Sequence, residues 1–303
     1  MNPTAPAPEP SSIVDRFNIH PFVFAGVSLG LIFALYHVGG GIIAFLAVGS
    51  KITRENVATV RWITTVGQLF FILVPTLVFA RLLSNRFGDV FWWRMPSARE
   101  VGFMLIGLIS LQQLLEVYMF LQDFIPVPGV LRKLFDPMRE MYRSMLKTVV
   151  KAESGSELAV VIVVAAVVPA FVEEMMFRGL IQRTFERVFK PIMAVFVTGI
   201  IFGLFHLDPF NAVPLICIGC YMGFLRLRSK SIALPITAHF LNNLAAVVAV
   251  YLGMGFETKL TTTEFGISEL LAAVTQAVAF GGLFFFSFRA YIRATDSLQV
   301  VQS

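Results

Sequence analysis

The chain has 303 residues, of which 57% are hydrophobic and 14% charged, whereas an average soluble domain carries about 25% charged residues. Together with a mean hydropathy of +0.78, this excludes an ordinary soluble domain and indicates an integral membrane protein, to which soluble domain counting does not apply. The net charge of +5 comes from basic residues gathered at the ends of apolar runs. That is a topology signal and not a nucleic-acid patch, so no nucleic-acid partner is expected.

In chain order, residues 1–20 (MNPTAPAPEPSSIVDRFNIH) are Pro-rich and polar, and read as a disordered tail without a cleavable signal peptide. A spanning helix needs about 20 mostly apolar residues. Such runs are expected over 21–49, 62–83, 101–122, 158–182, 191–207, 210–226, 231–254 and 267–289. The expected fold is therefore all-α, a polytopic membrane helix bundle with about eight transmembrane helices. Its parts would be the tail 1–20, N-terminal spans and an amphipathic segment over 21–157, a core over 158–254, and a last span with tail over 255–303.

The connections differ in kind. Phe91, Trp92 and Trp93 read as interfacial aromatics. From Val130 to Lys151, Leu131, Leu134, Phe135, Met138, Met141, Tyr142, Met145 and Val149 recur at helical spacing, while Arg132, Lys133, Arg139, Arg143 and Lys147 fill the other face. That pattern gives an amphipathic helix, either lying on the membrane surface or packed on the bundle outside it. The fifth and sixth runs are short and joined by a turn at Asp208 and Pro209, an irregularity that membranes tolerate where protein or water covers it. Cys217 and Cys220 share a helix face and read as small apolar residues rather than a metal or disulfide motif.

Several polar side chains lie where lipid should not tolerate them. They are Gln112, Gln113 and Glu116, then Glu173, Glu174 and Arg178, then His206, and finally His239, Asn242 and Asn243. Glu174 and Arg178 are four apart and share a face on which they can pair. Glu173 is rotated about 100° away, and the residue four further on is Phe177. One carboxylate is thus in surplus, and a buried unpaired carboxylate takes up a proton or recruits a partner, here His206 or His239. A carboxylate beside an imidazole can hold a water and remove its proton, and a second His with an Asn amide can donate to an oxyanion. Two rivals stay open on these residues: hydrogen-bonded helix glue, and a metal site built from one Glu and two His, although H-E-x-x-H is absent. No G-x-S-x-G elbow occurs. Glu116 reads as a carboxylate reaching the interface, with a place in a substrate cleft as the alternative.

The ordered motifs "EEMMFR" (Glu173, Glu174, Arg178), "FGLFH" (Phe202, His206) and "HFLNN" (His239, Asn243) resemble those of the CAAX-protease and bacteriocin-processing family, which includes the type 2 CAAX prenyl proteases. The resemblance covers about residues 158–254. It implies an intramembrane glutamate endopeptidase in which Glu173 activates water with His206. His239 and Asn243 would stabilise the oxyanion, with Glu174, Arg178 and Phe202 in support. It implies no cofactor and no metal. The partners would be the lipid bilayer and a membrane-associated peptide or protein substrate, prenylated or not. The place would be the cell membrane in a prokaryote or the endoplasmic reticulum membrane in a eukaryote. A non-catalytic membrane protein of immunity or chaperone type, or a metal-dependent membrane protease, is the alternative.

The distribution of charge sets an expected orientation. In the C-terminal half, Arg183, Arg187, Lys190, Arg226, Arg228, Lys230, Arg289 and Arg293 fall on the face shared with both termini, against Lys259 on the other. This places both termini in the cytoplasm, although Lys51, Arg54, Arg61 and the six basic residues from Arg132 to Lys151 favour the opposite.

Overall fold

In hydrocarbon every backbone polar group must be satisfied inside the chain, so apolar runs of this length fold as helices. The computed structural model describes residues 12–124, 129–254 and 266–300, and among these there is no strand. Nine helices matter here: α1 (Pro21–Val48), α2 (Val57–Leu83), α3 (Ala98–Asp123), α4 (Gly129–Val150), α5 (Gly155–Phe185), α6 (Pro191–Phe205), α7 (Ala212–Ser229), α8 (Ala233–Tyr251) and α9 (Ile267–Ala294). Seven are long and apolar enough to cross a membrane, so the chain is an integral, multi-pass helical bundle.

Local chemistry sets the helix ends. Ser97 and Glu100 form a capping box at the start of α3, and the Ser154 side chain accepts from the Glu157 N–H at the start of α5. Pro191 opens α6, where its missing N–H costs nothing. Lys230, with φ of 52°, ends α7 in the left-handed region.

The structure corrects the sequence in three places. Residues 12–20, expected as disordered tail, are ordered: Ser12 caps a one-turn helix Ile13–Arg16, Val14 is buried, and Asp15 pairs with Arg187 at 3.0 Å. An amphipathic turn that packs on the end of α2 and pairs with Arg187, just beyond α5, outweighs the Pro-rich composition before it. The expected span 191–207 is α6, whose 15 residues reach about 22 Å and fall short of a core about 30 Å thick. It ends early because Asp208 turns the chain, accepting from the N–H groups of Phe210 and Asn211. Phe91, grouped by sequence with the interfacial aromatics, is buried against Gly179 of α5, while Trp93 is exposed.

Residues 1–11 and Lys259 lie outside the described residues, as do the side chains of Leu131, Arg132, Leu134, Phe135 and Tyr142. Residues 129–150 do form a helix. Its end is tied to α2 by Arg61, which donates to the carbonyls of Val149 and Lys151, and Met138, Met141 and Met145 are exposed along it.

α6 and α7 approach to backbone contact. A Cβ on Gly219 would stand 2.9 Å from the Gly199 carbonyl oxygen, and one on Gly203 would stand 2.9 Å from the Ile216 nitrogen. Small residues let membrane helices approach to backbone contact, and here they press Phe202 into the bundle interior, where it is 1% exposed. Side chains at both ends tie the bundle: Arg187 to Asp15 and Arg228 to Asp296 on the face of the termini, Arg54 and Arg61 to Glu157 on the other.

Two exposed positions report orientation. In a background with Cys217 and Cys220 replaced by alanine, Gly88→Cys should be protected from an impermeant thiol reagent in intact cells and Ser156→Cys labelled. The opposite pattern places the termini outside.

Candidate active site

The site grows from one stretch of α5. Glu173 and Glu174 close an α-helical segment, and the next seven residues, Met175–Ile181, form a π-helical turn that carries Arg178. Such turns widen the helix by one residue and often mark functional sites. Glu174 and Arg178 are both fully buried. Glu174 Oε2 accepts from Arg178 Nε at 2.8 Å, and Oε1 lies 3.0 Å from His239 Nδ1 on α8. A carboxylate paired with a guanidinium only accepts, so His239 Nδ1 carries hydrogen and Nε2 is left outside this pairing.

Glu173 faces the other histidine. Its Oε2 lies 3.6 Å from His206 Nε2, too far for a direct hydrogen bond, and it is buried without a hydrogen-bond partner. His206 follows the last residue of α6, and its Nδ1 sits 2.7 Å from the Phe202 carbonyl oxygen. A carbonyl only accepts, so Nδ1 holds a hydrogen and Nε2 is the nitrogen that faces Glu173. When the ring is neutral, two acceptors converge on one gap, which suits a water donating a hydrogen to each.

Phe202 is the wedge of the assembly. Its ring centroid lies 4.7 Å from that of His206 and 5.9 Å from that of His239, and the Arg178 guanidinium carbon lies 5.1 Å from it. Arg178 Nη1 and Nη2 are buried without hydrogen bonds, so the ring face is their electrostatic partner.

Asn243 joins through a chain of amides. Gln112 of α3 donates to Asn242 Oδ1, Asn242 Nδ2 donates to Asn243 Oδ1 (3.2 Å), and Asn243 Nδ2 donates to the Ala165 carbonyl (3.1 Å). Ala165 lies in a second π-helical turn of α5, Val163–Val167. The chain fixes the Asn243 amide and leaves one Nδ2 hydrogen to donate. Sequence reasoning assigned no site role to Asn242 or Gln112; both were visible only as amides at membrane depth. Glu116, one turn beyond Gln112, is exposed. His37 and Tyr36 of α1 were also missed. They adjoin the site behind Phe205, and a histidine in an otherwise apolar span was the signal. Both cysteines are free, and among the described residues no three His, Cys, Asp or Glu side chains are grouped to hold a metal ion.

Fold and site together define a polytopic membrane protein with two carboxylate–imidazole pairs sunk between its helices. Residues 155–245 match the family model described as type II CAAX prenyl endopeptidase Rce1-like, and the chain carries a domain of that family there. The family is one of membrane endopeptidases. No curated protein and no solved structure matches the chain.

Arg178→Ala strands a buried carboxylate, and breaking such a pair costs about 3–5 kcal/mol. The variant should show a clearly lower Tm in detergent. An unchanged Tm would mean that Glu174 does not depend on Arg178.

Proposed function

We propose that the chain is an intramembrane glutamate-type endopeptidase, hydrolysing a peptide bond of a membrane-associated protein or peptide with water activated by Glu173 and His206. The observation that carries this reading is the 3.6 Å gap between Glu173 Oε2 and His206 Nε2, with the carboxylate oxygen partnerless. Helix glue would balance its pairs, as Glu174 is balanced by Arg178 and His239. Glu173 is not balanced.

In this reading a water donates one hydrogen to Glu173 and one to His206 Nε2. Its oxygen attacks the scissile carbonyl carbon as the first proton passes to Glu173, and the carbonyl π electrons move to oxygen. His239, when both its nitrogens carry hydrogen, donates Nε2–H to that oxyanion, and Asn243 donates its remaining Nδ2 hydrogen. Protonated Glu173 then gives its proton to the amide nitrogen, the C–N bond breaks, and the products are a carboxylic acid and an amine. Glu174 and Arg178 hold the His239 ring in place, and Phe202 sets the spacing of the two imidazoles. A panel of prenylated and unprenylated membrane peptides in proteoliposomes decides the substrate class.

Glu173→Gln keeps shape but removes the base. It should lower turnover by about 100-fold or more with Tm unchanged, and His206→Ala should be similarly inactive. Retained turnover in Glu173→Gln would remove the glutamate mechanism. Turnover should also survive strong chelators. Loss reversed by one added divalent metal would turn the reading to a metalloprotease.

A further inference from the structure

Three buried polar atoms lack hydrogen-bond partners on three neighbouring helical segments: His37 Nε2 on α1, Gln68 Oε1 on α2 and Glu173 Oε2 on α5. The His37 ring lies 5.0 Å from that of Phe205, the residue before His206, and 5.1 Å from that of Tyr36. It reaches the Phe205 carbonyl and stands within electrostatic range of both His206 and Glu173. Tyr36 is in range of Glu173 and meets the Gln68 side chain. The segment of α2 that opens with Gln68 packs directly on Val168–Glu174.

Local backbone produces this placement. Tyr36 and His37 lie inside a π-helical turn, Ala34–Gly39, and Gln68 begins another, Gln68–Leu73. Ser28, the other polar side chain within α1, is satisfied by the Phe24 carbonyl. So α1 turns its two remaining polar groups toward the site from a helix that is otherwise apolar.

Buried polar atoms are rarely left unpaired, and several close together are commonly met by ordered water. Hydrolysis inside a bilayer needs water held where lipid excludes it. We propose that Tyr36, His37 and Gln68 form a water-binding wall of the active site, which holds the hydrolytic water and orients it toward Glu173 and His206. The proposal rests on the function proposed above. His37 and Gln68 are positioning residues, and all three lie outside the family-matched residues 155–245.

The test uses the full-length protein in proteoliposomes with whichever peptide of the prenylated and unprenylated panel the wild type cleaves. His37→Phe and Gln68→Leu keep bulk and remove hydrogen bonding, whereas His37→Gln restores it. Each of the first two should lower kcat about tenfold, the loss of one hydrogen bond to the reacting water, with KM and Tm unchanged. His37→Gln should recover most of the rate. Enzyme-catalysed exchange of oxygen-18 from labelled water into the product carboxylate should slow in step with kcat. Wild-type kcat in His37→Phe and Gln68→Leu overturns the wall. So does a loss accompanied by a raised KM or a lowered Tm that His37→Gln does not recover. An inactive Glu173→Gln beside a fully active His37→Phe removes the wall alone; an active Glu173→Gln removes the protease reading beneath it.

Discussion

The structure depends on one buried carboxylate. Glu174 is fully inaccessible and is held by Arg178 on its own helix and by His239 on α8. Charge in this setting is tolerated only with close partners, because desolvation outweighs any loosely made attraction. The pairing locks the rotation of α5 against α8, and everything else in the site is read from that lock. Glu173, one residue earlier, is thereby turned toward α6 and His206. The same helix face continues downward as a ladder: Gln182 donates to Glu186 and to the Gly223 carbonyl, and Glu186 takes Arg226 of α7 at 2.5 Å. Arg226 in turn lies 4.5 Å from the Trp92 ring, which also receives Arg183 at 4.0 Å. A polar seam thus runs from the site to the face of the termini.

The second constraint is backbone proximity. Glycines 199, 203 and 219 let α6 and α7 touch, and α6 is too short to leave the membrane. Its last turn is therefore available to carry a functional group at depth, and His206 occupies that end. π-Helical turns do similar work elsewhere. Each one changes the facing of the residues after it without ending the helix, and they fall beside Glu174, Ala165, Gln68 and His37. Polar groups that regular helices would scatter around three axes are gathered on one side.

Run length and hydropathy alone determined the helical class and the approximate spans, because a membrane permits few ways to satisfy a backbone. Three ordered polar motifs on apolar runs marked which stretch of chain to examine, and residues 155–245 carry the family match. Periodicity also put Glu174 and Arg178 on one face. It could not say which imidazole meets which carboxylate. Spacing fixes the face of a single helix, whereas pairing depends on the rotation and depth of two helices relative to each other. The motif resemblance implied that Glu173 works with His206, but only the tertiary structure brought the two within 3.6 Å, set His239 on Glu174, linked Gln112 to Asn243 through Asn242, and brought His37 from the first span to the back of the site. The short run of α6 and its Asp208 turn were legible, because that turn is made by near neighbours, whereas the docked residues 12–20 are set by contacts with distant parts of the chain, which local composition does not record.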